Sequence, residues 1–263
     1  MARKFGVEIE ALNLTMARAT TVVCDTGLTC TNAGYSHAVS TGWKVVSDAS
    51  VTDGFELVSP ILEGERGLAD TRTAAKALAD EGATVDRRCG LHVHVDARDM
   101  TLPMLKNLMK MWVKYETAFD VLVPASRRNN TYCKSIADHF ADDTAAFKAI
   151  DAATSVVQLR NAMNPEQHYT GSGRYHKLNL HAMVRHGTVE FRQHSGTVDA
   201  QKIAEWVALC VAFVDEAARA TTIKQNKPGT LIFENLIAHT TPPTRKYLRA
   251  RRAALAGDAQ ATN

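Results

Sequence analysis

The stretch GLHVHVD at residues 90–96 places His92, His94 and Asp96 at alternate positions. Alternation along a strand sends these three to one face, and Leu91, Val93 and Val95 to the other. Three further stretches share this design. In KFGVEIEA (4–11), Glu8 and Glu10 oppose Val7 and Ile9. In GFELVSP (54–60), Glu56 opposes Phe55 and Leu57. In GTVEFRQH (187–194), Glu190, Arg192 and His194 oppose Val189 and Phe191. The polar faces together carry four glutamates, three histidines and an arginine.

For any one strand, the wet face of a half-covered sheet accounts for such a pattern. A solvated face, however, mixes Thr, Ser and Lys with its acids, and here the acids cluster. Two carboxylates about 4 Å apart repel by roughly 4 kcal/mol at an effective dielectric near 20. Four gathered in one place need cations. Oxygen donors with an imidazole suit Mg²⁺ or Mn²⁺ better than zinc. Hard cations beside basic side chains suit phosphoryl chemistry on a nucleotide. Other polar residues have plainer readings. His194 reads as bonding the SGT turn that follows it. Asp96 and Asp99 read as turn or cap residues. His37, His139, His168, His176 and His239 read as surface or loop histidines.

These side chains need elements to hold them. Strands are predicted over 4–11, 42–48, 54–60, 83–86 and 90–97, with DASVTDG as the turn between the second and third. Residues 12–42, rich in Thr, Ala, Gly and Asn, read as loops with one short strand. A helix is predicted over 65–81, with Leu68, Thr71, Ala75, Leu78 and Ala79 as its stripe and Gly82 past its end. The clearest helix covers 101–122. Thr101 caps it, Pro103 sits in its first turn, and Leu105, Leu108, Met109, Trp112, Phe119 and Leu122 recur at helical spacing. PASRRNNTYCK (124–134) is a basic loop, and short helices follow over 134–140, 142–153 and 154–162. NPEQHYTGSG (164–173) is a loop. RYHKLNLHAM (174–183) and GTVEFRQH read as a hairpin around VRHG. A long helix is predicted over 199–222, then pieces at about 229–238 and 243–256, with a frayed tail from Gly257. Tight turns argue for antiparallel pairs. The expected class is α+β: an antiparallel sheet with helices packed on one face.

With 263 residues, 45% of them hydrophobic, the chain can bury a core without disulfides or a structural metal. The expected division is a domain over 1–240 and a basic C-terminal helix and tail over 241–263. Five scattered cysteines show no CxxC or CxxH spacing, which argues against a zinc–cysteine site. No apolar run reaches the length of a membrane span and no signal peptide is visible, so a soluble, cytoplasmic protein is expected. The net charge of +3 is weak evidence for a polyanionic partner.

FGVEIEA, WKVVSDASV…FELVSPIL, CGLHVHVDA, RRNNTYC, RYHKLNL and GTVEFRQHSGT, in this order and spacing, resemble the amidoligase family. That family belongs with the carboxylate–amine ligases related to glutamine synthetase and glutamate–cysteine ligase. The resemblance spans about residues 4–215. It implies a glutamine synthetase-like catalytic fold, a curved antiparallel sheet whose concave face binds ATP and two or three divalent ions. It also implies amide formation through an acyl phosphate. By similarity, Glu8 and Glu10 bind separate Mg²⁺ (or Mn²⁺) ions. Glu56 joins the ion of Glu10, and His92 and Glu190 join the ion of Glu8. His94 falls where relatives contact a nucleotide phosphate, and Arg192 where they hold the transferred phosphoryl group or a carboxylate. Arg174 and Lys177 fall at phosphate-ligand positions, and Arg127 or Arg128 closes over the site. The larger synthetases supply a further metal glutamate, for which Glu63 and Glu65 are the candidates here. Both equally favour a helix N-terminus.

Two other classes fit parts of the pattern. A Mg²⁺-dependent phosphohydrolase or nuclease would use the same carboxylates with water as nucleophile. A non-catalytic nucleotide- or nucleic-acid-binding protein would use TRKYLRARR (244–252), where Arg245, Arg249 and Arg252 share a helical face. The carboxylate and amine substrates are unreadable, and an oligomer is possible.

Overall fold

The computed structural model describes residues 2–47, 53–166, 173–227 and 229–261. Most of the turn DASVTDG, and His168 with the loop around it, lie outside the described residues. The chain divides into two compact units. One comprises Met1–Val95 and His194–Ala208, the other Asp96–Gln193 and Leu209–Asn263. Both hold strands of a mostly antiparallel arrangement together with helices, as the α+β pattern predicts. No described helix is long and apolar enough to cross a membrane.

The first unit is built on β1 (Lys4–Leu12), β2 (Cys30–Gly34), β3 (Trp43–Val46), β4 (Gly54–Val58), β5 (Leu62–Glu63) and β6 (Gly90–Asp96). The order is β2-β3-β4-β1-β6, with β5 also on β1; among the described strands of this unit only β2 and β3 run parallel. Alternation works as predicted on its apolar side. Val7, Ile9, Val45, Phe55, Leu57, Leu91, Val93 and Val95 are buried almost completely. At about 1.5–3 kcal/mol for each side chain buried, this face carries much of the unit's stability. Helix α2 (Gly64–Asp80) begins one residue before the predicted start. Gly67 lets it approach β1 closely: a Cβ there would stand 2.8 Å from Leu62 Cβ and 3.1 Å from Phe5 Cζ. Ala74, not Ala79, completes its buried stripe, and Ala79 is exposed.

Residues 12–42 differ from expectation. They contain a ten-residue helix, α1 (Met16–Asp25), before β2. Thr15 caps it by accepting from the Arg18 N–H at 3.2 Å. Ala19, Val22 and Val23 bury one side. The threonines around that stripe have low helix propensity, so the local signal is weak and tertiary burial decides.

The second unit holds α3 (Leu102–Asp120), α4 (Asp143–Ala152), α5 (Val156–Met163), β7 (Leu178–Asn179), α6 (His181–His186), most of β8 (Thr188–Ser195), the later part of α7 (Ala200–Arg219), α8 (Ile232–Ile237) and α9 (Pro242–Ala261). Trp112, Phe119, Phe191 and Phe213 form an aromatic core with ring centroids 4.8–6.2 Å apart. The predicted hairpin needs correction. From 174–183 the strand shortens to Leu178 and Asn179 paired with β8, next to the Lys177 carbonyl that accepts the Arg192 N–H at 2.9 Å, and HAMVRH is helical. Gly187, at φ 67°, ends that helix in the left-handed conformation. Residues 134–140 give only a 3₁₀ turn, Ala137–His139. Helix α9 continues to Ala261 instead of fraying from Gly257.

Candidate active site

The polar side of the first unit's sheet is organised by register. Glu8 lies opposite His92 on β6, and Gly6 opposite His94. Glu10 lies opposite Glu56 on β4. Directly paired residues project to the same face, so Glu8, Glu10, Glu56, His92 and His94 converge. Glu8 Oε2 is 3.2 Å from His92 Nδ1 and Glu8 Oε1 is 3.4 Å from His94 Nε2. His92 Nε2 stands 3.9 Å from Glu10 Oε1. Glu10 is buried, and its Oε2 accepts the Gly90 N–H at 2.6 Å. Burial alone would raise the pKa of Glu8. His94 and His92 outweigh it and hold the carboxyl well below the usual range, as an anion.

One ligand atom each from Glu8, Glu56 and His92 lie within 4.8 Å of one another. Side chains this close could share a divalent cation after a small inward adjustment, since two donors about 2.1 Å from one ion stand at most about 4.2 Å apart. When neutral His92 donates its Nδ1–H to Glu8, Nε2 keeps a lone pair, and the carboxylate fixes the ring's tautomer. Two carboxylates and an imidazole suit Mg²⁺ or Mn²⁺. Glu63 and Glu65 are exposed at the start of α2, where their charge complements the helix dipole.

The second unit holds Glu190 and the basic residues Arg192, Arg174 and Lys177, for which the resemblance implies contacts to anions. Glu190 is buried on β8; its Oε2 accepts the Asn179 side-chain N–H at 2.6 Å, and its Oε1 pairs with Arg192 Nη1. The Arg192 guanidinium lies 5.7 Å from the centre of the Tyr175 ring. Arg174 lies 4.9 Å from the same ring and donates to the Tyr175 hydroxyl at 2.9 Å. Tyr175 therefore supports two guanidiniums, a residue the sequence reading assigned no role.

Lys177 is buried, with its Nζ 2.9 Å from Glu116 Oε1 and 2.7 Å from Asp120 Oδ1. Burial lowers its pKa, but the two carboxylates raise it further and keep the ammonium charged. Gln193 Nε2 donates to the same Asp120 oxygen. Arg127 donates to the Gln193 and Arg192 carbonyls at 3.1 and 2.8 Å, and Arg128 to the Asp120 carbonyl at 3.1 Å. These bonds fix the backbone of Arg192 and the end of α3. Sequence reasoning missed Glu116 and Asp120. The signal was present: Trp112, Glu116 and Asp120 recur at i, i+4 and i+8, which puts two acids on the buried side of an apolar helix.

Other expectations are resolved locally. Asp96 accepts the Arg98 backbone N–H at 3.2 Å and its guanidinium at 2.8 Å, as a turn residue does. His194 Nδ1 lies 2.7 Å from the Ser195 carbonyl. His176 is buried, not a surface histidine. Its Nδ1 lies 2.7 Å from the Gly173 carbonyl and its Nε2 2.7 Å from His139 Nε2. On the C-terminal helix, Arg249 pairs with Glu234 at 2.6 Å and Arg252 lies 4.7 Å from the Phe233 ring. Two of the three arginines of the basic face are thus engaged by α8.

A family model described as "Putative amidoligase enzyme" matches residues 1–214. The chain belongs to the amidoligase family. The family supports a ligase-type enzyme, with substrates that carry carboxylate and amine groups. A search of curated proteins returned no match. The matched span includes both polar residue sets of this amidoligase. It ends within α7, before the basic helix α9.

Proposed function

We propose that this amidoligase is an ATP-dependent carboxylate–amine ligase that works with Mg²⁺ or Mn²⁺ and an acyl-phosphate intermediate. The observation that carries the reading is the cluster of Glu8, Glu56 and His92, with ligand atoms inside 4.8 Å on three neighbouring strands. Glu8, Glu10, Glu56 and His92 would hold the ions, and Glu190 joins this assignment by family resemblance. Bound there, the ions would neutralise the charge of a polyphosphate and polarise its phosphoryl group.

In the first step a carboxylate oxygen of the substrate attacks the terminal phosphorus, and the bond to ADP breaks. The amine nitrogen then attacks the acyl carbon, phosphate leaves with the bonding pair, and the amine's proton passes to solvent or a base. Neither step uses a nucleophilic side chain. The chain's task is positioning and charge stabilisation. Arg192, oriented by Glu190 and Tyr175, offers a planar fork suited to a carboxylate or phosphoryl group. His94 and Arg174 are candidate phosphate contacts.

The test is calorimetry with ATP, with and without Mg²⁺ or Mn²⁺, on the wild type and Glu8→Gln. Metal-dependent binding that disappears in the variant is expected, and wild-type protein that binds no nucleotide with either metal overturns the reading. ADP release that requires both a carboxylate and an amine then separates a ligase from a hydrolase.

A further inference from the structure

Lys44 lies on β3, outside the glutamate–histidine cluster of the same sheet. Register places it in one continuous row, Lys44–Val58–Glu8–His92, across β3, β4, β1 and β6. It therefore projects from the same face as Glu8, Glu10, Glu56 and His92. Two strand spacings separate Lys44 from Glu8, about 10 Å between backbones. Lys44 is 5% exposed. Its Nζ donates to the Ser36 carbonyl at 2.9 Å and the Ala38 carbonyl at 2.7 Å. An ammonium has three donors, and among the described residues two of them are used. Among the described residues no carboxylate stands within ion-pair distance of it.

A buried lysine is ordinarily matched by an opposite charge, because desolvating an unpaired ammonium is expensive. The two carbonyls orient this one without neutralising it. Pinning the 36–38 loop does not account for a buried charge, since a neutral donor could serve two carbonyls. The loop also buries little in return: Tyr35 and Val39 on it are each 72% exposed. Among the described strand residues, the register puts Glu56 diagonal to Lys44 across the β3–β4 pair, at about 7–8 Å. A divalent ion on Glu8 and Glu56 would consume that negative charge and leave Lys44 facing an ion of its own sign. The combination then attracts an anion that bridges both.

We infer that Lys44 is an anion-binding residue beside the cation cluster, directing its third N–H to an anionic oxygen of a phosphate or carboxylate ligand. This deepens the proposed function and rests on it for the metal. Resemblance and motif gave Lys44 no role, and its placement comes from register alone.

The experiment is titration calorimetry of the full chain with Mn²⁺ alone, then with tripolyphosphate, succinate and ATP in saturating Mn²⁺. Wild type is compared with Lys44→Met and with Lys44→Gln, which keeps a donor for the loop carbonyls should the methionine variant fail to fold. A charge-assisted hydrogen bond of 1.5–3 kcal/mol corresponds to a loss of about tenfold or more in affinity. Mn²⁺ affinity should not fall in either variant, since Lys44 is no metal ligand and its removal takes a like charge away from the ion. A loss confined to tripolyphosphate and ATP assigns the site to phosphate; a loss confined to succinate assigns it to the substrate carboxylate. Equal anion affinities in wild type and variants overturn the inference, as does wild-type protein that binds none of the anions. If wild type binds Mn²⁺–ATP and the variants match it, the ligase reading survives and the role of Lys44 falls. If only tripolyphosphate binding depends on Lys44 and ATP does not bind, the reverse holds.

Discussion

Glu10 and Glu56 face each other directly across the β1–β4 ladder. Like charges at such a position are destabilising in water by up to about 1 kcal/mol. A cation between the strands reverses the sign. Glu10→Gln is therefore expected to raise the metal-free melting temperature by a few degrees and to weaken Mn²⁺ binding at least tenfold. The glutamine carbonyl can still accept the Gly90 N–H. Thermal melts with EDTA and with Mn²⁺ check this; a variant less stable in EDTA than the wild type contradicts it.

Arg192 owes its orientation to Glu190 and the Tyr175 ring. Lysine retains the charge but loses the planar fork. Arg192→Lys should bind Mn²⁺–ATP within a few-fold of wild type and turn over about 10²-fold more slowly, the scale of one lost transition-state donor. Single-turnover ADP release measures it, and equal turnover removes Arg192 from the transition state.

Lys177 sits between Glu116 and Asp120 inside the second unit. Lys177→Met leaves the buried Glu116 and the part-exposed Asp120 without their cation, a loss of about 3 kcal/mol, carried mainly by Glu116. Adding Glu116→Gln should recover part of it. Urea denaturation of the single and double variants gives the numbers. Unchanged stability with weakened ATP binding would return Lys177 to the phosphate-ligand role implied by family resemblance.

Burial pushes His176 down to about 4, and its Nε2 accepts a hydrogen bond from His139 only while neutral. An unfolded histidine titrates near 6.5. The unfolded state therefore takes up its proton first, and stability is lost as pH falls from about 6.5 towards 4. The loss amounts to about 3 kcal/mol. His176→Gln should be less stable near neutrality but lose less between those pH values. Denaturation curves at pH 7, 5.5 and 4.5 compare the slopes; parallel slopes would place the acid sensitivity elsewhere.

Much of the candidate metal cluster was legible from the sequence, because strand alternation is local. A period of two sends Glu8, Glu10, Glu56, His92 and His94 away from the aliphatics whichever strands become neighbours. The same holds for α3, whose apolar spacing defines its buried side before any partner is known. Where local signals conflict, tertiary burial decides. Threonine-rich α1 becomes helical because Ala19, Val22 and Val23 find a core. HAMVRH becomes helical although it reads as the end of a strand. Register and long-range partners lie further from the sequence. Glu10 meets Glu56, Lys44 joins the row of Glu8, and Lys177 finds Glu116 and Asp120 only once strands and helices have packed. Alternation fixes which face a side chain takes. Its neighbour on that face is set by the packing of segments far apart in the chain, through the free energy of burying them together.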